Sequence, residues 1–175
     1  MTTMSRIQKL SLAAAALAVV ILAGGRTASA GSATSSLTVT ATVPAVCVLS
    51  AGTLAFGNYD PVGANATTPL AGTSTFNVTC TKNTAYTVTL GTGANSASAV
   101  GTTRAMKDAG TGAFLSYEIY TNNTYATVWN TTNTMGGTAA STSAIALTAY
   151  GRIPAGQNVP AAAGYTDTVV STVNF

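Results

Sequence analysis

From Gly31 onward the chain alternates apolar residues with threonine, serine or asparagine, and that period of two decides what it can fold into. The stretch Leu37–Val43, LTVTATV, is strict: Leu37, Val39, Ala41 and Val43 share one face, with Thr38, Thr40 and Thr42 on the other. The last segment, GYTDTVVSTVNF, places Tyr165, Val169, Val173 and Phe175 opposite Thr166, Thr168, Thr172 and Asn174. Alternation in β-branched residues marks half-buried strands, and nothing after Gly31 repeats with a helical period. Further strands are expected at AVCVLS and TLAF (residues 45–50 and 53–56), at 100–106, 114–121, 125–129 and 144–153, with a turn at GNYDPVG. Residues 73–80 and 85–90 read as a hairpin around TKNT. About seven or eight short strands at this spacing predict an all-β fold, an immunoglobulin-like β-sandwich, with no second domain and no internal repeat.

The N-terminus has a different character. Arg6 and Lys9 precede the apolar run Leu10–Ala23, and the segment closes on Ala28, Ser29 and Ala30. A basic start, an apolar run too short to cross a bilayer and a small-x-small ending define a secretory signal peptide over residues 1–30, cut between Ala30 and Gly31. Export carries Cys47 and Cys80 into an oxidising compartment, where an even pair reads as a structural disulfide. No stable membrane insertion is expected once the signal is removed.

Signal removal also disposes of the basic balance. The net charge of +3 rests on Arg6, Lys9 and Arg26. Beyond Gly31, Lys82, Arg104, Lys107 and Arg152 meet Asp60, Asp108, Glu118 and Asp167 one for one. Without a basic field there is no case for nucleic acid as partner. So few charges, near zero net, suit packing against copies of the same chain and, equally, a secreted domain kept soluble by hydroxyls and amides. The chain has no histidine, which removes the usual general base and the commonest metal ligand. Its acidic residues lie far apart, each read as exposed or in a turn, so no catalytic residue, cofactor site or metal site is assigned and the chain is read as no enzyme. Asn-x-Thr sequons at Asn65, Asn77, Asn122 and Asn130 are unremarkable in a chain so rich in threonine. One alternative is a secreted carbohydrate-binding, lectin-like module using Trp129, Tyr120 and Tyr125 as an aromatic platform, against the plainer reading of Trp129 as core. Another is a non-fibrous coat or matrix protein.

Several stretches together resemble the spore coat protein U domain family, the subunits of archaic chaperone–usher pili of the Csu type. Residues 149–175, AYGRIPAGQNVPAAAGYTDTVVSTVNF, are similar to that family's ending, LAFGNYDP (54–61) to its Phe-Gly-x-Tyr-x-Pro segment, and FNVTC (76–80) to its second cysteine region. The resemblance implies an incomplete sandwich with a hydrophobic groove. A periplasmic chaperone fills that groove during export, an outer-membrane usher passes subunits on, and the N-terminal strand of the next subunit completes the fold. It further implies a homopolymeric surface pilus, or fimbria, supporting cell adhesion and biofilm formation.

The residues give this reading its positions. By pattern alone Leu37–Val43 suits the first strand of a complete sandwich equally well; with the resemblance, residues 31–43 are expected to form a donor strand, with Leu37, Val39, Ala41 and Val43 entering successive pockets of a neighbour by strand addition. Pro44 detaches it from the strand that follows. Residues 44–175 are the incomplete pilin domain, with Val169, Val173 and Phe175 lining the acceptor groove. A head-to-tail contact of this kind does not close on itself and builds a filament.

Overall fold

The structure is a computed structural model and describes residues 29–175. The signal-peptide reading falls almost wholly on residues outside this range. The chain divides after Ala41 into an N-terminal stretch and a compact unit, Thr42–Phe175. The described part of the N-terminal stretch, residues 29–41, belongs to no strand.

The compact unit is built from nine antiparallel strands: β1 (Cys47–Ala51), β2 (Leu70–Cys80), β3 (Ala85–Leu90), β4 (Arg104–Asp108), β5 (Phe114–Tyr120), β6 (Met135–Thr138), β7 (Ile145–Ile153), β8 (Tyr165–Thr166) and β9 (Ser171–Asn174). They form a six-stranded sheet in the order β1-β2-β7-β5-β4-β8 and a three-stranded sheet in the order β6-β3-β9. Alternation explains the layers. Phe76, Val78 and Cys80 of β2 and Leu147, Ala149 and Ile153 of β7 are buried on one side, and Tyr86, Val88 and Leu90 of β3 are buried opposite them. The result is a sandwich of immunoglobulin-like type.

Three expectations are corrected. β2 and β3 do not pair as a hairpin: they lie in different sheets, and the turn between them carries the chain across the core. Two strands that each have one apolar face bury more of it by facing one another than by lying side by side. Asn83 makes the crossing with φ 66, a left-handed conformation that asparagine tolerates. Residues 125–129 are a loop instead of a strand, with only a bridge between Tyr120 and Val128, because Tyr125 turns left-handed at φ 55. Thr53–Phe56 is likewise no strand.

The final segment is interrupted. β8 pairs with β4 in the large sheet, and β9 pairs with β3 in the small one, so the chain changes sheets between them. Asp167 sits at the change. Its carboxylate accepts hydrogen bonds from the Tyr117 hydroxyl (2.8 Å), the Ala94 amide (2.9 Å) and the Asn95 side chain (3.1 Å). Gly93, with φ +84, leaves room for that carboxylate, which any β-carbon there would strike.

Candidate functional site

The change of sheet leaves an opening. β1 ends one sheet and β9 ends the other. They approach within 8 Å between Cα atoms without sharing a ladder. Beyond them the sandwich opens into a cleft. Its first part, of about 440 Å³, lies between Ala51–Phe56 on one wall and Tyr165–Val169 on the other. An adjoining part, of about 730 Å³, continues between Leu54–Val62 and Val159–Tyr165. The walls therefore run in opposite directions, and a strand laid between them is parallel to one and antiparallel to the other. Neither Thr53–Asn58 nor Thr168–Val169 belongs to a ladder.

The floor is apolar and shaped by small residues. Phe76, Ile119, Tyr117 and Met106 line it. Gly72 of β2 and Gly151 of β7 are register partners, and Leu54 and Phe56 press onto them. A β-carbon on Gly151 would come within 2.7 Å of the Phe56 ring, and one on Gly72 within 3.0 Å. Next along the same strands, Ser74 stands opposite Ala149, and both line the cleft. Ser74 Oγ is buried there with no hydrogen-bond partner among the described residues.

Hydrogen bonds hold the walls in place. The Tyr59 hydroxyl donates to the Pro154 carbonyl (2.9 Å) and accepts from the Gln157 amide (3.0 Å), tying the far ends together. The Gln157 side chain accepts from the Ser116 N–H and donates to its carbonyl, both at 2.8 Å, acting as a one-residue strand on β5. Burial, and then the bond to Asp167, push the Tyr117 hydroxyl above the usual tyrosine pKa, so it stays a donor. Behind the cleft, buried Arg104 pairs with buried Glu118 and donates to the carbonyls of Gly91 (2.7 Å) and Trp129 (2.7 Å). Glu118 also accepts from the Thr103 amide (2.8 Å) and hydroxyl (2.7 Å). Asp108 accepts from the Thr111 amide (2.6 Å) and hydroxyl (2.8 Å), which hold its carboxyl below the usual range.

Of the groove residues named from sequence, Val169 lines the cleft, Val173 packs on the core from β9 and Phe175 stands 59% exposed. Of the arm, Leu37 is 87%, Val39 82% and Val43 77% exposed; Ala41 is exposed too. Cys47 and Cys80 form the disulfide, directly across the β1–β2 ladder. Two readings are overturned. Trp129 has no exposed surface and donates its ring N–H to the Val88 carbonyl (2.8 Å), so it offers no platform to a sugar. Tyr120 and Tyr125 pair edge to face without it. Glu118 is a buried, paired carboxylate and no surface charge. Sequence reading missed Gln157, Ser74 and the Arg104–Glu118 pair, whose roles appear only once register brings distant residues together.

An immunoglobulin-like sandwich with an open side defines the class, and the family follows. The family model of the Spore Coat Protein U domain matches residues 33–172, and the chain belongs to that family. It is 36% identical over 173 residues to "Protein U" of Myxococcus xanthus, covering 93% of this chain and 96% of that protein. Among solved structures it is similar to a chain of the chaperone–tip adhesion subunit pre-assembly complex from archaic chaperone–usher Csu pili of Acinetobacter baumannii, with a TM-score of 0.50 and 24% identity. That match covers 77% of this chain and 40% of the other, so this chain spans well under half of its length.

Proposed function

We propose that this protein is an exported structural subunit of a surface pilus, assembled by a periplasmic chaperone and an outer-membrane usher and joined head to tail by strand donation. The observation that carries this reading is the cleft: an apolar floor between two walls in which Thr53–Asn58 on one side and Thr168–Val169 on the other lie outside any ladder. A strand placed there gains hydrogen bonds on both sides and buries its inward side chains. Residues 35–43 of another copy suit it, being alternating, uncharged and exposed. Burying Leu37, Val39, Ala41 and Val43 contributes about 5–10 kcal/mol before ordering costs. Membership of the Spore Coat Protein U domain family and the fold shared with a Csu pilus complex support the same reading. The role is structural, not catalytic, and adhesion and biofilm formation would follow from the fibre.

Unboiled SDS gels of the purified protein test this. We expect a ladder of oligomers that collapses to monomer on boiling. Deleting residues 31–43 is expected to abolish the ladder while leaving a protein that binds a synthetic peptide of those residues. A ladder that survives the deletion would show that the arm is not the donor. Electron microscopy distinguishes thin fibres from an amorphous coat.

A further inference from the structure

The cleft has a possible occupant nearer than another copy: the chain's own arm. Only Pro44, Ala45 and Val46 separate Val43 from Cys47, the first residue of β1. Three-residue connections close β-hairpins. A reversal there would lay the arm antiparallel to β1, with Val39 beside Ala51 and Leu37 beside Thr53, at the mouth of the cleft. A subunit capped in this way could accept no neighbour and would have no free arm to donate.

Residues 44–46 are held against that reversal. Val46 continues the β1–β2 pairing one step past Cys47 and Cys80: its carbonyl accepts the Thr81 amide at 2.9 Å. Its own N–H donates to the Thr81 hydroxyl oxygen at 3.2 Å, and that hydroxyl donates to the Pro44 carbonyl at 3.2 Å. The Cys47–Cys80 disulfide locks the neighbouring pair, so this register cannot slip. A three-residue hairpin loop also needs a left-handed residue. None of the three has positive φ, and proline and β-branched valine both resist it.

We infer that the Thr81 hydroxyl, together with Pro44, is a clasp that keeps residues 44–46 extended, so that a subunit's arm stays out of its own cleft and available to another copy. Thr81 is thus a positioning residue for assembly. The inference rests on the strand-donation reading above.

Thr81→Val keeps the branched shape and removes both hydroxyl bonds, whereas Thr81→Ser keeps the hydroxyl. On unboiled gels of the exported chain, Thr81→Val is expected to shift material at least threefold from the ladder to a compact monomer that does not take up the 31–43 peptide. Thr81→Ser is expected to keep the unsubstituted ratio, which a general loss of packing would not explain. A Gly-Gly-Ser insertion between Val43 and Pro44 leaves the clasp intact but gives slack for reversal. It is expected to raise capped monomer in the same way, and it decides the matter if Thr81→Val does not fold. If folded Thr81→Val, or failing that the insertion, ladders and takes up peptide as the unsubstituted chain does, the clasp is overturned and strand donation stands. If the unsubstituted chain gives no ladder, or ladders without its arm, strand donation fails and the clasp falls with it.

Discussion

Arg104 has no solvent-exposed surface, and a guanidinium in that position must be fully paired. Its partners come from β5, from the residue after β3 and from the loop before β6, so one side chain ties the two sheets together. Arg104→Met leaves Glu118 buried and alone, and is expected to cost about 3–5 kcal/mol in denaturant unfolding. The pair replacement Arg104→Met with Glu118→Leu should recover most of that, because an apolar pair of similar volume is often neutral. None of this was legible in the sequence, where the two residues look like isolated charges. Tyr117 supplies a second test at this scale. Its folded pKa lies above the ordinary tyrosine value of about 10 through burial and the Asp167 bond. Its contribution is therefore complete below about pH 10 and is lost as pH rises past that value toward the folded pKa. Tyr120 and Tyr165 are shifted the same way, by burial first. Tyr117→Phe should reduce the alkaline loss of stability without abolishing it, measured as the unfolding midpoint between pH 9 and 11.

Among the elements, the floor of the cleft is set by two glycines that face each other across β2 and β7. Gly151→Val would drive Leu54 and Phe56 off the sheet. It is expected to cost about 1–3 kcal/mol in thermal or denaturant unfolding, in line with other overpacked sites. Alternation located β2, β3, β5 and β7 well, because each carries a run of at least three alternate apolar residues on one face. It could not show β6, whose Gly136 and Gly137 give no alternation at all. Gly136 is needed because a β-carbon there would collide with the Tyr86 carbonyl. Nor could it show that β2 and β3 face each other, since the period is the same whether two strands lie side by side or opposed. The last strand reads as continuous because Tyr165, Val169, Val173 and Phe175 share one face; Asp167, the one charge within it and on that same face, marks where the chain leaves one sheet for the other. Family resemblance leads to the expectation of a groove beside the final segment, whereas Thr53–Phe56, on the other wall of the cleft, reads from its pattern as a strand. Its lack of a ladder depends on where its neighbours go.

For the molecule as a whole, the absence of histidine has a simple consequence. No side chain of this chain has an ordinary pKa between about 5 and 8, and the tyrosine shifts move those groups further from that range while the Asp108 shift does the same on the acid side. The thermal midpoint and the unboiled ladder are expected to be flat across that interval. A midpoint moving by more than about 4 °C, close to 1 kcal/mol for a domain of this size, would mean that a group of the folded chain titrates in that interval. A disulfide spanning 33 residues should contribute about 3–4 kcal/mol on the chain-entropy account, so reduction should lower the midpoint sharply.

Trp129 is the chain's single tryptophan, and its ring meets Phe76 edge to face at a centroid distance of 5.2 Å. Phe76 in turn belongs to the floor of the cleft. The fluorophore therefore lies one side chain below the surface that an incoming strand would cover, sealed from water and held by its bond to Val88. Filling the cleft should stiffen Phe76 and alter the Trp129 emission without unfolding anything. The protein thus carries its own optical gauge of occupancy, and the strand donation proposed above would be visible in real time with no added label.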